Sequence, residues 1–224
     1  MTHITNPNSA TLLALLPQAA DDLASLRAAL RTPVPEALAN SQFARHGRAW
    51  AATYVETLLQ LAAYAHDMEQ ENRLGGLETD LTLVVFGEYL QQLAGGLPMS
   101  QGEIVRPADI GFGDGLPGFD TPAIGQLMAH ANTAARRQDI AAVILASGSP
   151  EADAGLDETH TMIRNQFRRF ADEKVLPFAH DWHLKDQLIP LEVISQLADL
   201  GVFGLTVPEE FGGMGLGKQA MCVV

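Results

Sequence analysis

The sequence predicts an all-α protein. Apolar residues recur every three or four positions along most of the chain, which is the spacing of one buried helix face. Helix boundary signals separate these stretches, such as the N-cap and proline of Thr121-Pro122 and the stop at Gly95-Gly96. The strand-like run from Val202 to Val207 is too short to build a sheet.

The first part of the chain predicts three helical regions. The first extends from roughly 35 to 72, and the second begins at an N-cap at Thr79 or Asp80 and ends at the glycine pair. The third runs from Thr121 through Ile144 with a break near Gln138. Their apolar stripes contain Trp50, Tyr54, Leu58, Leu61, Ala65, then Leu83, Phe86, Leu90, Leu93, then Ile124, Leu127, Ala131, Val143.

Two stretches interrupt the helical pattern. Residues 97–120 contain five glycines and three prolines and are predicted to be a long loop, of a kind that is usually functional or mobile. Residues 148–157 are acidic and rich in glycine and proline, and we interpret them as a linker. The sequence therefore predicts a helical extension at 1–147 and a second helical domain at 158–224.

The second domain predicts two helices. Ile163, Phe167 and Phe170 form an apolar stripe on a helix that must kink or end at Pro177. A further helix starts at Pro190 and ends with Gly201 as its C′ residue.

Composition and charge exclude several classes of partner and location. Acidic residues outnumber basic residues 27 to 14, giving a formal charge of −13, which argues against a nucleic-acid backbone or an anionic membrane as a partner. The N-terminus has no basic region of a signal peptide, and no stretch reaches the ~20 apolar residues of a membrane span. A single cysteine excludes an intrachain disulfide. These features predict a cytoplasmic protein.

Several motifs resemble known sites but have simpler explanations. The segment Gly212 to Lys218 has P-loop spacing, but Gln219 stands where a magnesium-binding Ser or Thr is needed, and five residues follow it. His180 and His183 have metal-ligand spacing without a third ligand, so we interpret them as solvated. The remaining candidates are interpreted as a core thiol without an activating base (Cys222), a surface pair (Arg136 and Arg137) and a solvated helix face (Arg164, Arg168, Arg169 and Asp172).

Residues 159–218 contain four short motifs in a fixed order. They are the V-x-P-x-A turn at 175–179, the acidic-aromatic pair Asp181-Trp182, the L-G-x-x-G segment at 200–204, and P-E-E-F-G-G-x-G at 208–215. In this order and spacing, the segment resembles the N-terminal helical domain of the acyl-CoA dehydrogenases. Its glycines, including Gly212 and Gly215, allow positive φ angles and close backbone approach, although a joint between helices without a ligand would need the same glycines.

The resemblance implies FAD as cofactor, an acyl-CoA thioester as substrate, an electron-transferring flavoprotein as acceptor, and a homo-oligomer. The run at 65–103 resembles the N-terminal extension of family members that oxidise methylsuccinyl-CoA, which implies α,β-dehydrogenation of a short branched acyl-CoA. In the family, the flavin-binding β-domain and the catalytic glutamate follow the matched segment. The glutamate removes the α-proton while the β-hydrogen leaves as hydride.

The resemblance therefore places the general-base glutamate beyond residue 224. We assign no catalytic, cofactor-binding or metal-binding residue within the 224 residues, and we expect them to be inactive on their own. The alternative is a non-catalytic helical module for interaction or assembly.

Overall fold

The computed structural model describes residues 7–113 and 115–224. The chain divides into two compact units, an N-terminal unit ending at Gly155 and a C-terminal unit from Leu156 to Val224. Residues 1–6 and Asp114 lie outside the described residues. The first are part of the N-terminus that was predicted to carry no signal peptide, and Asp114 is in the predicted loop.

The N-terminal unit is a bundle of helices with one small hairpin. Its elements are α1 (Ser9–Leu13), α2 (Leu16–Leu30), a 3-10 helix (Glu36–Leu38), α3 (Gln42–Gln70), α4 (Gly76–Gly95), β1 (Leu97–Ser100), β2 (Glu103–Val105), a second 3-10 helix (Pro107–Ile110), α5 (Pro122–His130) and α6 (Ala134–Ser147). The helices confirm the predicted all-α class. In the described part of the chain, no helix is both long enough and apolar enough to cross a membrane.

Capping residues explain where most of these helices begin and end. The Thr121 hydroxyl accepts a hydrogen bond from the amide of Ile124 at the start of α5, and Gly96 ends α4, as predicted. The predicted helix from 35 to 72 begins later, at the N-cap Ser41. Thr133 caps α6, so the break in the third region lies there and not near Gln138.

The start of α4 also differs from the prediction. The helix begins at Gly76, after the N-cap Gly75, so neither Thr79 nor Asp80 is the N-cap. The chain reverses immediately before it, where Asn72 has a φ of 56° and the amides of Arg73 and Leu74 both donate to the carbonyl of Met68. This turn brings the start of α4 one helical turn earlier than the capping pattern indicated.

The core of the N-terminal unit lies around α3. Helix α3 packs against α2 on one side and α4 on the other, and α5 closes the bundle against α4. Gly87 permits the close approach of α4 to the α5–α6 junction, because a Cβ there would lie 2.6 Å from the backbone nitrogen of Asn132. The largest side chains of the core are Phe86, Leu12, Leu23, Leu26, Leu58, Met68, Leu83, Leu90, Leu97, Ile124, Leu127 and Val55.

The predicted loop at 97–120 contains regular structure. Strands β1 and β2 pair antiparallel, with Leu97 opposite Val105, and both side chains are buried. The run from Val202 to Val207, interpreted as strand-like, instead begins with a 3-10 helix at Val202–Gly204. The sequence prediction missed the hairpin, because packing against α3 selects the extended conformation at 97–105. Among the described residues, the run at 202–207 pairs with no strand.

The C-terminal unit consists of one longer helix and several short helices. They are α7 (Glu158–Lys174), α8 (Leu176–Leu184), α9 (Leu191–Asp199) and α10 (Lys218–Val223), with 3-10 helices at Val202–Gly204 and Glu209–Phe211. Pro177 lies at the start of α8, immediately after α7 has ended, and Gly201 follows α9 with a φ of 81°. Both boundaries agree with the sequence prediction.

Candidate functional site

The distinctive feature of the C-terminal unit is its exposed apolar surface. Among the described residues of this unit, only Leu205 and Ala220 are fully buried hydrophobic residues. Leu188 is 92% exposed and Phe211 is 75% exposed. We call the following set the apolar surface: Met162, Leu176, Phe178, Leu184, Leu188, Ile189, Leu191, Ile194, Phe203, Phe211, Met214, Met221 and Val224.

The local sequence places these side chains outward. On α8, Phe178 and Trp182 are four residues apart and stack with ring centroids 5.9 Å apart, which places both rings on one face of the helix. The loop between α8 and α9 adds Leu188 and Ile189, and α9 begins with the exposed Leu191. Helices α8 and α9 and the loop between them thus contribute a run of apolar side chains to the surface.

Such a surface is suited to binding. Burying one large apolar side chain is worth about 1.5–3 kcal/mol, so covering several of them would be strongly favourable. Monomeric soluble proteins rarely expose large contiguous apolar patches, which usually mark interaction sites. The arrangement can therefore bind another apolar surface.

The glycine-rich segment that resembles a P-loop does not have a P-loop's chemistry. A phosphate cradle needs free backbone amides, but those of Met214, Gly215 and Leu216 donate to the carbonyls of Gly204, Val207 and Leu205. Gly212 and Gly215 have φ angles of 80° and 63°, as the sequence predicted. The glycines close a compact turn against residues 204–207.

The other candidate residues of the C-terminal unit lie at the surface. His180 and His183 are exposed, and no group of three or more metal-ligating side chains occurs among the described residues. Cys222 was predicted to be a core residue, but it is exposed. The reason is that α10 has six residues and buries only Ala220 against the rest of the unit. On α7, Arg168 and Arg169 are exposed as expected, whereas Arg164 is half-buried.

Two arginines of the N-terminal unit are buried, and the sequence analysis missed both. Arg136, interpreted as part of a surface pair, is only 8% exposed, while Arg137 is exposed. Its Nε lies 3.0 Å from Oδ1 of Asp80, and Nη1 donates to the carbonyls of His130 and Ala131. It points back from the first turn of α6 onto the end of α5, which a pair of adjacent arginines in the sequence does not indicate.

Arg48 is the second buried arginine, at 7% exposure. Its guanidinium donates to the carbonyls of Ile110, Ala29 and Thr32 and lies 5.2 Å from the ring centroid of Phe112. Burial lowers its pKa from the usual value. The sequence carries a signal for this role, because residue 48 lies among the buried positions of α3 that also include Ala44 and Ala51.

Helix α7 begins at a charged N-cap. The Asp157 carboxylate accepts hydrogen bonds from the amide of His160 and lies 2.8 Å from its Nδ1. These bonds, the backbone bond first, hold the pKa of Asp157 below its usual 3.8. A depressed pKa means that the capping interaction stabilises the helix at neutral pH and is lost as the pH falls through the lowered value.

We therefore expect the amide proton of His160 to titrate with a midpoint below pH 3.8 when its NMR shift is followed. Asp157→Asn should abolish this titration while keeping the cap, since asparagine is an equally good N-cap residue. A midpoint above 3.8 in the unmodified chain would show that these hydrogen bonds do not lower the pKa of Asp157.

The C-terminal unit matches a known protein family. Residues 157–224 fit the family described as "Acyl-CoA dehydrogenase, N-terminal domain". This match identifies the C-terminal unit as an acyl-CoA dehydrogenase N-terminal domain. The match covers the C-terminal unit almost residue for residue, and it confirms the resemblance drawn from the four motifs.

Individual relatives fall into two groups by how much of the chain they match. The (2S)-methylsuccinyl-CoA dehydrogenase of Cereibacter sphaeroides is 49% identical over 191 residues, covering 84% of this chain. The glutaryl-CoA dehydrogenase of Desulfococcus multivorans is 33% identical over 64 residues, and the short-chain specific acyl-CoA dehydrogenase of Rattus norvegicus is 38% identical over 68 residues. Because 157–224 is far shorter than 191 residues, most of the first alignment lies in the N-terminal unit.

The acyl-CoA dehydrogenase relatives are much longer than this chain. It spans 34% of the length of the methylsuccinyl-CoA dehydrogenase and 16% of each of the other two. The apolar surface therefore lies on a domain that, in these relatives, is one part of a larger protein.

Proposed function

We propose that this chain is the N-terminal portion of an FAD-dependent acyl-CoA dehydrogenase that oxidises a short branched acyl-CoA such as methylsuccinyl-CoA. The observation that carries this proposal is the extent of the similarity to the methylsuccinyl-CoA dehydrogenase, at 49% identity over 84% of the chain. Similarity to relatives named for glutaryl-CoA and short-chain substrates extends over 29% and 30% of the chain. The N-terminal unit thus favours the methylsuccinyl-CoA assignment.

The exposed apolar surface supports the idea that the C-terminal unit works within a larger catalytic fold. Side chains such as Phe203, Phe211 and Leu188 gain most of their burial energy only when another domain covers them. In our proposal, the β-domain and the C-terminal helical domain that follow this segment in the family provide that cover. The role of the C-terminal unit is then to bind and orient those domains.

The glycine-rich turn at 212–216 does not fit a flavin diphosphate site. The backbone amides from Gly212 to Leu216 donate to carbonyls of residues 204–209, so they are not free to hold a diphosphate. We therefore assign binding of FAD and of the acyl-CoA thioester, and the general-base glutamate, to residues beyond position 224. An electron-transferring flavoprotein as acceptor, a homo-oligomeric state and a cytoplasmic location belong to the same proposal.

The proposal predicts that residues 1–224 alone do not oxidise acyl-CoA. The measurement is reduction of an artificial electron acceptor by the purified chain with FAD and (2S)-methylsuccinyl-CoA, with the Cereibacter sphaeroides enzyme as positive control. We expect no rate above the background without protein. Turnover by the 224 residues would contradict the assignment of the catalytic residues to another part of the protein.

A second experiment separates the enzyme from the alternative of a helical assembly module. The coding sequence downstream of codon 224 is read, and the product of the whole reading frame is assayed with methylsuccinyl-CoA, glutaryl-CoA and butyryl-CoA. A frame that continues and a product that prefers methylsuccinyl-CoA would support the proposal. A stop codon at this position, reproduced in independent clones, would favour the assembly module.

A further inference from the structure

Asp153 attaches the segment between α6 and α7 to the N-terminal unit. The guanidinium of Arg73 binds its carboxylate with both Nε, at 3.0 Å from Oδ2, and Nη2, at 2.7 Å from Oδ1. The hydroxyl of Tyr64 donates to its carbonyl at 2.6 Å, and its amide donates to Oε1 of Glu78 at 2.8 Å. The side chain, the carbonyl and the amide of this residue are therefore all bound.

The three partners come from consecutive parts of the fold. Tyr64 lies in the last third of α3, Arg73 in the turn after it, and Glu78 in the first turn of α4. The left-handed turn at Asn72 positions Arg73, and the carboxylate of Glu71 lies 2.7 Å from its Nη1. The two neighbouring carboxylates raise the pKa of Arg73 above its usual value, so its charge is fixed.

Tyr64 is likewise held in its donating form. Burial first, and the charges of Glu78 and Asp153 second, raise the pKa of its hydroxyl above the usual 10.0. The phenol therefore remains protonated at neutral pH and can donate to the carbonyl of Asp153.

Gly155 extends the same attachment by two residues. Its amide donates to Oδ1 of Asp153, and its φ of 67° lies in the left-handed region. A Cβ at this position would lie 3.1 Å from two ring carbons of Tyr64, so a larger residue would also be crowded. Both the conformation and the space around residue 155 are suited to glycine.

We infer that Tyr64, Arg73, Glu78 and Asp153 form a clamp, which we call the Asp153 clamp, that fastens the connecting segment to the N-terminal unit and sets where the dehydrogenase domain begins. The composition of 148–157 suggests ten free residues, which could reach about 35 Å when extended. With the clamp closed, only Leu156 separates the bound Gly155 from Asp157, the N-cap of α7. The clamp therefore shortens the unattached part of the connecting segment before α7 from ten residues to one.

The clamp's geometry makes it a reversible device. The side chains of Arg73 and Asp153 are 35% and 39% exposed, so their attraction is screened by salt. Opening would release the segment without disturbing the buried core of α3 and α4. This inference concerns the connection alone and holds whatever substrate the assembled enzyme uses.

Hydrogen–deuterium exchange on the full 224-residue chain tests the clamp, because the amides of Asp153 and Gly155 are both donors within it. We expect peptides that cover 148–157 to be protected in the unmodified chain. Arg73→Gln should accelerate their exchange roughly tenfold, and Tyr64→Phe, which removes one donor, several-fold. High salt should reproduce part of the effect of Arg73→Gln.

The matched control is Asp181→Asn, which removes the surface pair between Asp181 and Lys185 on α8. This change should leave exchange at 148–157 unaltered. If Arg73→Gln also accelerates exchange throughout α3 and α4, that variant has lost its fold, and Tyr64→Phe then decides. Exchange of 148–157 at the rate of an unstructured peptide, or equal rates in the unmodified chain and Tyr64→Phe, would overturn the inference.

Discussion

Residues 156–224 produced without the N-terminal unit should self-associate, bind a hydrophobic dye and melt without a cooperative transition. The physical reason is the small number of buried apolar residues in this unit, where only Leu205 and Ala220 are fully buried hydrophobic residues among those described. A domain's net stability is about 5–15 kcal/mol, and each large apolar side chain left in water forgoes about 1.5–3 kcal/mol of it. The exposed side chains of the apolar surface are numerous enough to cancel this margin.

The measurement is sedimentation velocity together with fluorescence of the bound dye. Residues 1–155 are the control, because the buried hydrophobic cluster lies in this unit, and we expect a monomer with a cooperative melt. Replacing Leu188 and Phe211 with glutamine in the isolated C-terminal unit should reduce both association and dye binding. A compact, cooperatively melting monomer of 156–224 would instead show that this domain is stable without a partner.

Arg48→Met should destabilise the N-terminal unit by roughly 2–4 kcal/mol. Methionine keeps much of the apolar stem of the side chain but removes the donors to Ile110, Ala29 and Thr32. Those carbonyls lie at the end of α2 and in the 3-10 helix after the hairpin. Loss of the hydrogen bonds therefore also weakens the attachment of both segments to α3. Thermal melting of the full chain should show the change as a decrease of roughly 5–15 °C in the transition of the N-terminal unit.

The control for this prediction is Arg45→Met on the same helix. Arg45 is exposed and its guanidinium donates to the single carbonyl of Ala39, so we expect a change of about 0.5 kcal/mol or less. Equal melting temperatures for the two variants would show that the buried guanidinium contributes no more than a surface arginine.

Local chemistry made several elements predictable from the sequence. Thr121 with Pro122 marked the start of α5, Gly96 the end of α4, and Gly201 the end of α9. Each of these signals acts through bonds or torsions within a few residues, and therefore works before any tertiary contact forms. Two of the four motifs of the acyl-CoA dehydrogenase domain, at 200–204 and 208–215, could be recognised for a related reason, since their glycines lie at turns.

Elements that depend on distant partners were not predictable. The hairpin of β1 and β2 exists because Leu97 and Val105 are buried against the bundle, and the same residues read locally as a loop. Arg136 looked like a surface residue until its bonds to Asp80 and to the end of α5 were known. For Cys222 the error was the reverse, since a residue predicted to be buried is exposed. Its apolar neighbours suggested a core position, but α10 buries only Ala220.

The all-α class, some of the helix ends and the family of the C-terminal unit could be predicted from the sequence alone. These follow from helical periodicity, from local hydrogen bonds and from a fixed order of turn residues, none of which requires a folded neighbour. Which charges are buried, how the connecting segment is held at Asp153 and how much apolar surface the C-terminal unit exposes became apparent only in the folded chain. Burial and ion pairing between residues such as Arg73 and Asp153 depend on distances across the fold, which the order of residues along the chain does not specify.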